Sequence, residues 1–124
     1  MATLTPDTVE LQDFGVVEVR ETELDGYTVS FLHVKRPVDM THMLKGLPGD
    51  VCGCPHWGIV TDGQMTVRYA DRDEVVRAGD VYYMPPGHVP EYTVGTRLIM
   101  FSPTEEMKLV DEAIQRNMQT LQGA

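Results

Sequence analysis

Apolar and polar residues alternate along most of the chain, in short runs that are separated by turn residues. Such alternation is typical of strands with one face in a core and the other in solvent. Turn signals at Asp25-Gly26, Asp62-Gly63 and Pro85-Pro86-Gly87 help to divide the runs at intervals of ~8–12 residues, which favours a sandwich or a small barrel. The pattern predicts strands over residues 16–21, 27–38, 56–60, 65–70, 74–77, 81–84, 89–94 and 97–102.

The C-terminal segment has a helical period instead. Its apolar residues recur at steps of three and four and comprise Met107, Val110, Ile114, Met118 and Leu121. Ser102, Pro103 and Glu105 fit a helix start, as N-cap, first residue and capping-box partner. We therefore predict a helix over about residues 103–121, whose apolar stripe is buried on the outside of the sheet or in a subunit interface.

Composition and charge narrow the class of protein. The chain has 124 residues, of which 42% are apolar and 23% charged, as expected for one folded domain. Ten Lys and Arg oppose nineteen Asp and Glu, so the net charge of −9 argues against nucleic acids and anionic membranes as partners. We find neither an apolar run of the ~20 residues that span a bilayer nor a signal-peptide pattern. A cytoplasmic protein is the resulting expectation.

The two cysteines and two of the four histidines are candidates for a metal site. Cys52, Cys54 and His56 lie at alternate positions, so an extended chain would place all three on one face. His88 follows the Pro85-Pro86-Gly87 turn at the end of another predicted strand. Thiolate and imidazole favour zinc, with iron or copper as alternatives. Buried cysteines that bind no metal are the competing interpretation.

Two segments resemble the conserved motifs of the cupin superfamily. Gly79–His88 is similar to the second cupin motif, a Gly-Asp turn and a strand followed by Pro-x-Gly and a histidine. His56–Gly63 resembles the strand and glycine turn that close the first motif. The spacing of Lys45-Gly46-Leu47-Pro48 from both motifs further resembles a subgroup of small bacterial cupin-domain proteins. The resemblance implies an all-β jelly-roll barrel over about residues 14–102, within a single domain that spans residues 1–124.

Cupins often bind a divalent metal inside the barrel, through His-x-His, a glutamate and a second-motif histidine. By this resemblance, His56 stands in the place of the glutamate, and Cys54 and Cys52 stand where shorter-spaced variants have their two histidines. The second-motif histidine would fall at Pro90, whereas this chain has His88 two residues earlier. The resemblance therefore implies where a site lies and leaves its chemistry open.

Three functions are consistent with these residues. A metal-dependent oxygenase, isomerase or lyase acting on a small organic molecule requires an open position on the metal, as when only one cysteine is a ligand. Glu91 and Tyr83 would then be the nearest candidates for general base and proton donor. The alternatives are a non-catalytic ligand-binding or sensor protein, and a structural zinc site that uses both cysteines. A homodimer through Trp57 or the helical stripe is a further expectation.

Overall fold

The fold is built from two antiparallel sheets and one helix in this computed structural model, which describes residues 3–122. The first sheet has the strand order β1-β2-β3-β10-β5-β8, and the second has the order β4-β9-β6-β7. The strands are β1 (Leu11–Asp13), β2 (Val17–Leu24), β3 (Tyr27–Val34), β4 (Val38–Asp39), β5 (His56–Asp62), β6 (Gln64–Arg68), β7 (Asp73–Arg77), β8 (Val81–Met84), β9 (Val89–Tyr92) and β10 (Arg97–Pro103). The helix α1 spans Thr104–Gln122, and short 3-10 turns lie at Pro6–Thr8 and Pro48–Asp50. The predicted all-β class with one C-terminal helix is confirmed.

The long strand predicted over residues 27–38 is wrong in one respect, because the chain changes sheets within it. The β3 strand ends at Val34, and Val38 pairs with Tyr92 in the second sheet. The amides of Lys35 and Arg36 both donate to the carbonyl of Val16, which turns the chain away from the β3–β10 ladder. Alternation continues across this crossover because both sheets face the same core, so the pattern cannot mark the break.

The core lies between the inner faces of the two sheets. Fully or almost fully buried side chains come from alternate positions on both sheets, as Met65 and Val67 on β6 and Leu98 and Met100 on β10 show. A second apolar cluster lies beneath α1. It comprises Leu44, Cys52, Cys54, Met107 and Val110. The chain segment that precedes β5, which contains Cys52 and Cys54, therefore packs against the helix.

The helix differs from the prediction at both its start and its position. Ser102 belongs to β10, and its hydroxyl contacts His56 instead of capping the helix, which begins at Thr104. The stripe of α1 faces the interior, where Met107, Ile114 and Met118 form one wall of a cavity. The predicted burial on the outside of the sheet is therefore wrong, because the stripe lines a cavity that it shares with residues of the sheets. The side chain of Leu121 lies outside the described residues.

We find no helix in residues 3–122 that combines the length and the apolar character required to cross a bilayer.

Candidate metal centre and cavity

A partly open cavity of about 230 Å³ lies between the sheets and α1. Its walls are mostly apolar and include residues of strands β2, β3, β8, β9 and β10 and of the helix. Representative wall residues are Val19, Leu32, Met84, Met100 and Met107. A cavity of this kind suits a small organic molecule, because apolar walls bind carbon skeletons while a few polar groups fix their orientation.

Cys52, His56 and His88 converge at the wall of this cavity, and we call them the triad. Their three potential ligand atoms all lie within 4.8 Å of one another. The Sγ of Cys52 is 3.4 Å from Nε2 of His56, and the two imidazole centroids are 4.9 Å apart. The amide of Cys52 donates to the carbonyl of His88 at 3.0 Å, so a short β-bridge holds the two residues together. All three are buried.

Hydrogen bonds orient both imidazoles toward the triad. Nδ1 of His88 lies 2.7 Å from the carbonyl oxygen of Pro85, which can only accept, so Nδ1 carries the proton. The neutral ring then has its lone pair on Nε2, which is buried and has no partner among the described residues. Nδ1 of His56 lies 2.7 Å from Oγ of Ser102, which leaves its Nε2 directed at Cys52. A protein group on the second nitrogen is the usual way to orient a metal-binding histidine.

Burial keeps the triad uncharged when no metal is bound. It lowers the pKa of His56 to about 3, and the neighbouring His88 acts in the same direction. The pKa of His88 is also lowered by burial, although its bond to Pro85 opposes the change. Burial raises the pKa of the Cys52 thiol to about 11. The site thus has two neutral imidazoles ready to bind a metal and a thiol whose proton a metal would displace.

The donor set fits a divalent metal ion. One sulfur and two imidazole nitrogens are the ligands of zinc, and of copper and iron in some sites. The unpartnered Nε2 of His88 is a buried lone pair for which a metal would supply the partner. Three protein ligands leave one position for water or substrate, unlike a closed four-ligand structural site.

Cys54 does not join the triad. Its Sγ contacts the carbonyl oxygen of Pro55 at 3.4 Å and lies 4.0 Å from that of Pro103. The expected shared face depends on an extended chain, but β5 begins only at His56 and the preceding Gly53 lies outside any strand. The role of Cys54 as a fourth ligand stays a prediction, and the geometry favours the alternative with three ligands.

Tyr83 and Glu91 lie outside the cavity. Tyr83 is 51% exposed and packs against Trp57, with ring centroids 5.2 Å apart. Trp57 is itself 42% exposed. The carboxylate of Glu91 pairs with Arg68 at the surface. Neither Tyr83 nor Glu91 lines the cavity, so their catalytic roles stay predictions without support from the geometry.

Two carboxylates in the cavity wall escaped the sequence reasoning. Glu21 projects from β2 on the same face as Val17 and Val19, and its Oε2 accepts a hydrogen bond from Ser30 Oγ at 3.1 Å. Asp111 projects from α1 toward the same cavity. Both signals are visible in the sequence, because each acid occupies an inward position of an amphipathic element. Burial and the charge of Glu21 raise the pKa of Asp111 to about 7.

Known structures share this fold at low sequence identity. An RmlC-like cupin from Shewanella frigidimarina is 17% identical, with 81% of this chain and 88% of that chain covered and a TM-score of 0.56. The polyketide cyclase RemF from Streptomyces resistomycificus is 15% identical, with 83% and 79% covered and a TM-score of 0.59. A structure of FeII HppE is 11% identical, with 82% and 60% covered and a TM-score of 0.55. The chain therefore has the cupin fold, as the two motifs indicate.

A search of curated protein sequences gives no match. The family model of the AraC-like ligand binding domain matches residues 56–119, which run from the first triad histidine through most of α1. This match covers just over half of the chain and includes His56, His88 and Asp111. The protein therefore belongs to the family of AraC-like ligand binding domains.

Proposed function

We propose that this protein is a metal-dependent enzyme of cupin type that acts on a small organic molecule in the cavity. Cys52, His56 and His88 would hold one divalent metal ion, with zinc as the favoured metal. The observation that carries the proposal is the convergence of their ligand atoms within 4.8 Å at the wall of a mostly apolar cavity. A substrate in that cavity would lie beside the open position of the metal.

The protein residues prepare this site in two ways. The carbonyl of Pro85 and the hydroxyl of Ser102 fix the orientation of the two imidazoles. The mostly apolar walls lower the local dielectric, which strengthens electrostatic interactions with a bound molecule. When bound, a zinc ion would act as a Lewis acid and lower the pKa of a coordinated water. Because zinc has no redox chemistry, the donor set favours an isomerase or lyase over an oxygenase.

The first test is metal content. Protein purified under reducing conditions should contain about one metal ion per chain, measured by inductively coupled plasma mass spectrometry. Cys52→Ser and His88→Ala should lose most of it, because each removes one of three ligands. Cys54→Ser is the matched control, since it alters a buried cysteine outside the triad and should retain the metal. Metal-free wild-type protein, or equal losses in the two serine variants, would overturn the three-ligand proposal.

A non-catalytic ligand-binding or sensor role is the second candidate, and the family match favours it. The two roles differ in what happens to the bound molecule. An enzyme should convert a molecule identified by its binding, and the Cys52→Ser variant should bind that molecule without converting it. A sensor should release the molecule unchanged from the wild-type protein.

A further inference from the structure

Two carboxylates line the cavity, and no cationic side chain of residues 3–122 lines it with them. Glu21 comes from β2, and Asp111 comes from α1. Among the residues that the structure describes, no Lys or Arg lines the cavity or forms an ion pair with either acid. The neighbouring Arg20 is directed elsewhere, toward the carbonyls of Pro6 and Val9.

Placing two carboxylates in this cavity without a ligand costs folding free energy. A carboxylate in a mostly apolar wall loses hydration, and two carboxylates near one another repel. The pKa of Asp111 is raised for both reasons, burial first and then the charge of Glu21. The hydroxyl of Ser30 satisfies only one oxygen of Glu21. A cation between the two acids would offset both costs.

The same cavity also contains an unpartnered polar group at the triad. His88 is fully buried and lines the cavity, and its Nε2 has no hydrogen-bond partner among the described residues. The cavity thus has an unpartnered nitrogen at the triad, apolar walls, and two acids contributed by β2 and α1. A molecule that is complementary to these three features has a donor group for the metal at the triad, a short carbon skeleton for the apolar walls and a positive charge for the two acids.

We propose that the cavity binds a small organic molecule carrying an ammonium group, which lies between the carboxylates of Glu21 and Asp111. The carbon skeleton lies along the apolar walls, toward the triad. The inference deepens the function proposed above and rests on it only in placing the ligand in this cavity. Charge selection by the two acids does not require the metal.

Matched probes of one chain length can test charge selection. Hexylamine, hexan-1-ol and hexanoate differ at the terminal group and are positive, neutral and negative at pH 8. Binding should be measured by isothermal titration calorimetry on wild-type protein treated with a chelator, so that an amine cannot bind through a metal. We expect hexylammonium to bind at least about tenfold more tightly than hexanol, since hydrogen bonds to charged groups are the stronger ones. Hexanoate should not bind.

Variants identify the groups that select the charge. Glu21→Gln and Asp111→Asn should each reduce the preference for hexylammonium, and the double variant should abolish it while hexanol binds as before. Glu112→Gln is the matched control, because Glu112 is the exposed acid next to Asp111 on the same helix. Equal affinity for hexylammonium and hexanol, a preference that survives in the double variant, or no binding of any probe would overturn the proposal. If the protein as purified under reducing conditions contains no metal but prefers hexylammonium, only the metal-dependent function is overturned.

Discussion

Replacing Asp111 by asparagine should stabilise the protein at pH 8. The half-buried carboxyl lies in the cavity wall, and its pKa is raised from 3.8 to about 7. The folded state therefore holds a proton between about pH 4 and pH 7 that the unfolded state has released. Stability falls as pH rises wherever the folded state binds more protons. Asp111 thus lowers the free energy of unfolding progressively through this range, and the loss is complete above about pH 7.

The size of the effect follows from the two pKa values. At 1.36 kcal/mol per pH unit, the interval from 3.8 to about 7 corresponds to a ceiling of about 4 kcal/mol. Asp111 is only partly buried, so solvent screening reduces this figure, and we expect about 2 kcal/mol. Asparagine keeps the shape of the side chain and cannot be charged. The free energy of unfolding of the Asp111→Asn variant should therefore not show this part of the decline with rising pH.

Urea unfolding at intervals from pH 4.5 to pH 8 measures the effect. The informative quantity is the difference in free energy of unfolding between variant and wild type, which should grow by about 2 kcal/mol across the range. Comparing pH values cancels any constant effect of the substitution on packing. Glu112→Gln removes an exposed acid from the same helix and should give a difference that does not depend on pH. Parallel profiles for Asp111→Asn and wild type would refute the reasoning.

The triad and its surroundings make further predictions. Ser102→Ala removes the partner of His56 Nδ1 and should weaken zinc binding about 10–100-fold in competition with a chelating dye; unchanged affinity would show that Ser102 does not orient the ring. Zinc must displace the proton of the Cys52 thiol, whose pKa is about 11, while both imidazoles are already neutral. Zinc affinity should therefore rise about tenfold per pH unit from pH 6 to pH 8. An affinity that does not change with pH would exclude Cys52 as a ligand. Added zinc should raise the melting temperature of Cys54→Ser but not of Cys52→Ser, whereas a structural site using both cysteines predicts that neither variant responds. If the predicted homodimer uses the exposed face around Trp57, Trp57→Ser should lower the mass in light scattering; a wild-type monomer at all concentrations would contradict the homodimer.

The sequence predicts the fold well because the relevant signals are local. Hairpin turns need particular backbone conformations, and Asp25 and Gly26 both have the positive φ angles that their residue types suggest. The predicted strand over residues 81–84 has the observed bounds. The crossover after Val34 was missed, because a strand that leaves one sheet for another keeps its alternation when both sheets enclose the same core.

The site is less predictable, because its geometry depends on contacts between distant segments. Alternate spacing predicts that Cys52, Cys54 and His56 share a face, but the structure pairs Cys52 with His88 across 36 positions and directs Cys54 toward Pro103. The capping-box pattern at Ser102 fails for a similar reason. Its hydroxyl is used by His56, which lies far away in the sequence, and the helix begins two residues later. A local pattern cannot show which tertiary partner will compete for a side chain.

The two cavity acids show how a failed local pattern can itself indicate function. Glu21 follows Val17 and Val19 on one face of β2, and Asp111 lies four residues after Met107 on the inward face of α1. Burial of apolar area alone would place apolar residues at both positions, so each acid weakens the element that carries it. Two such departures from different elements meet in one cavity, and this is difficult to explain by stability. A ligand that requires negative charge in the cavity accounts for both acids. The expected gain in stability of Asp111→Asn measures the stability that the protein loses by having the Asp111 carboxylate there.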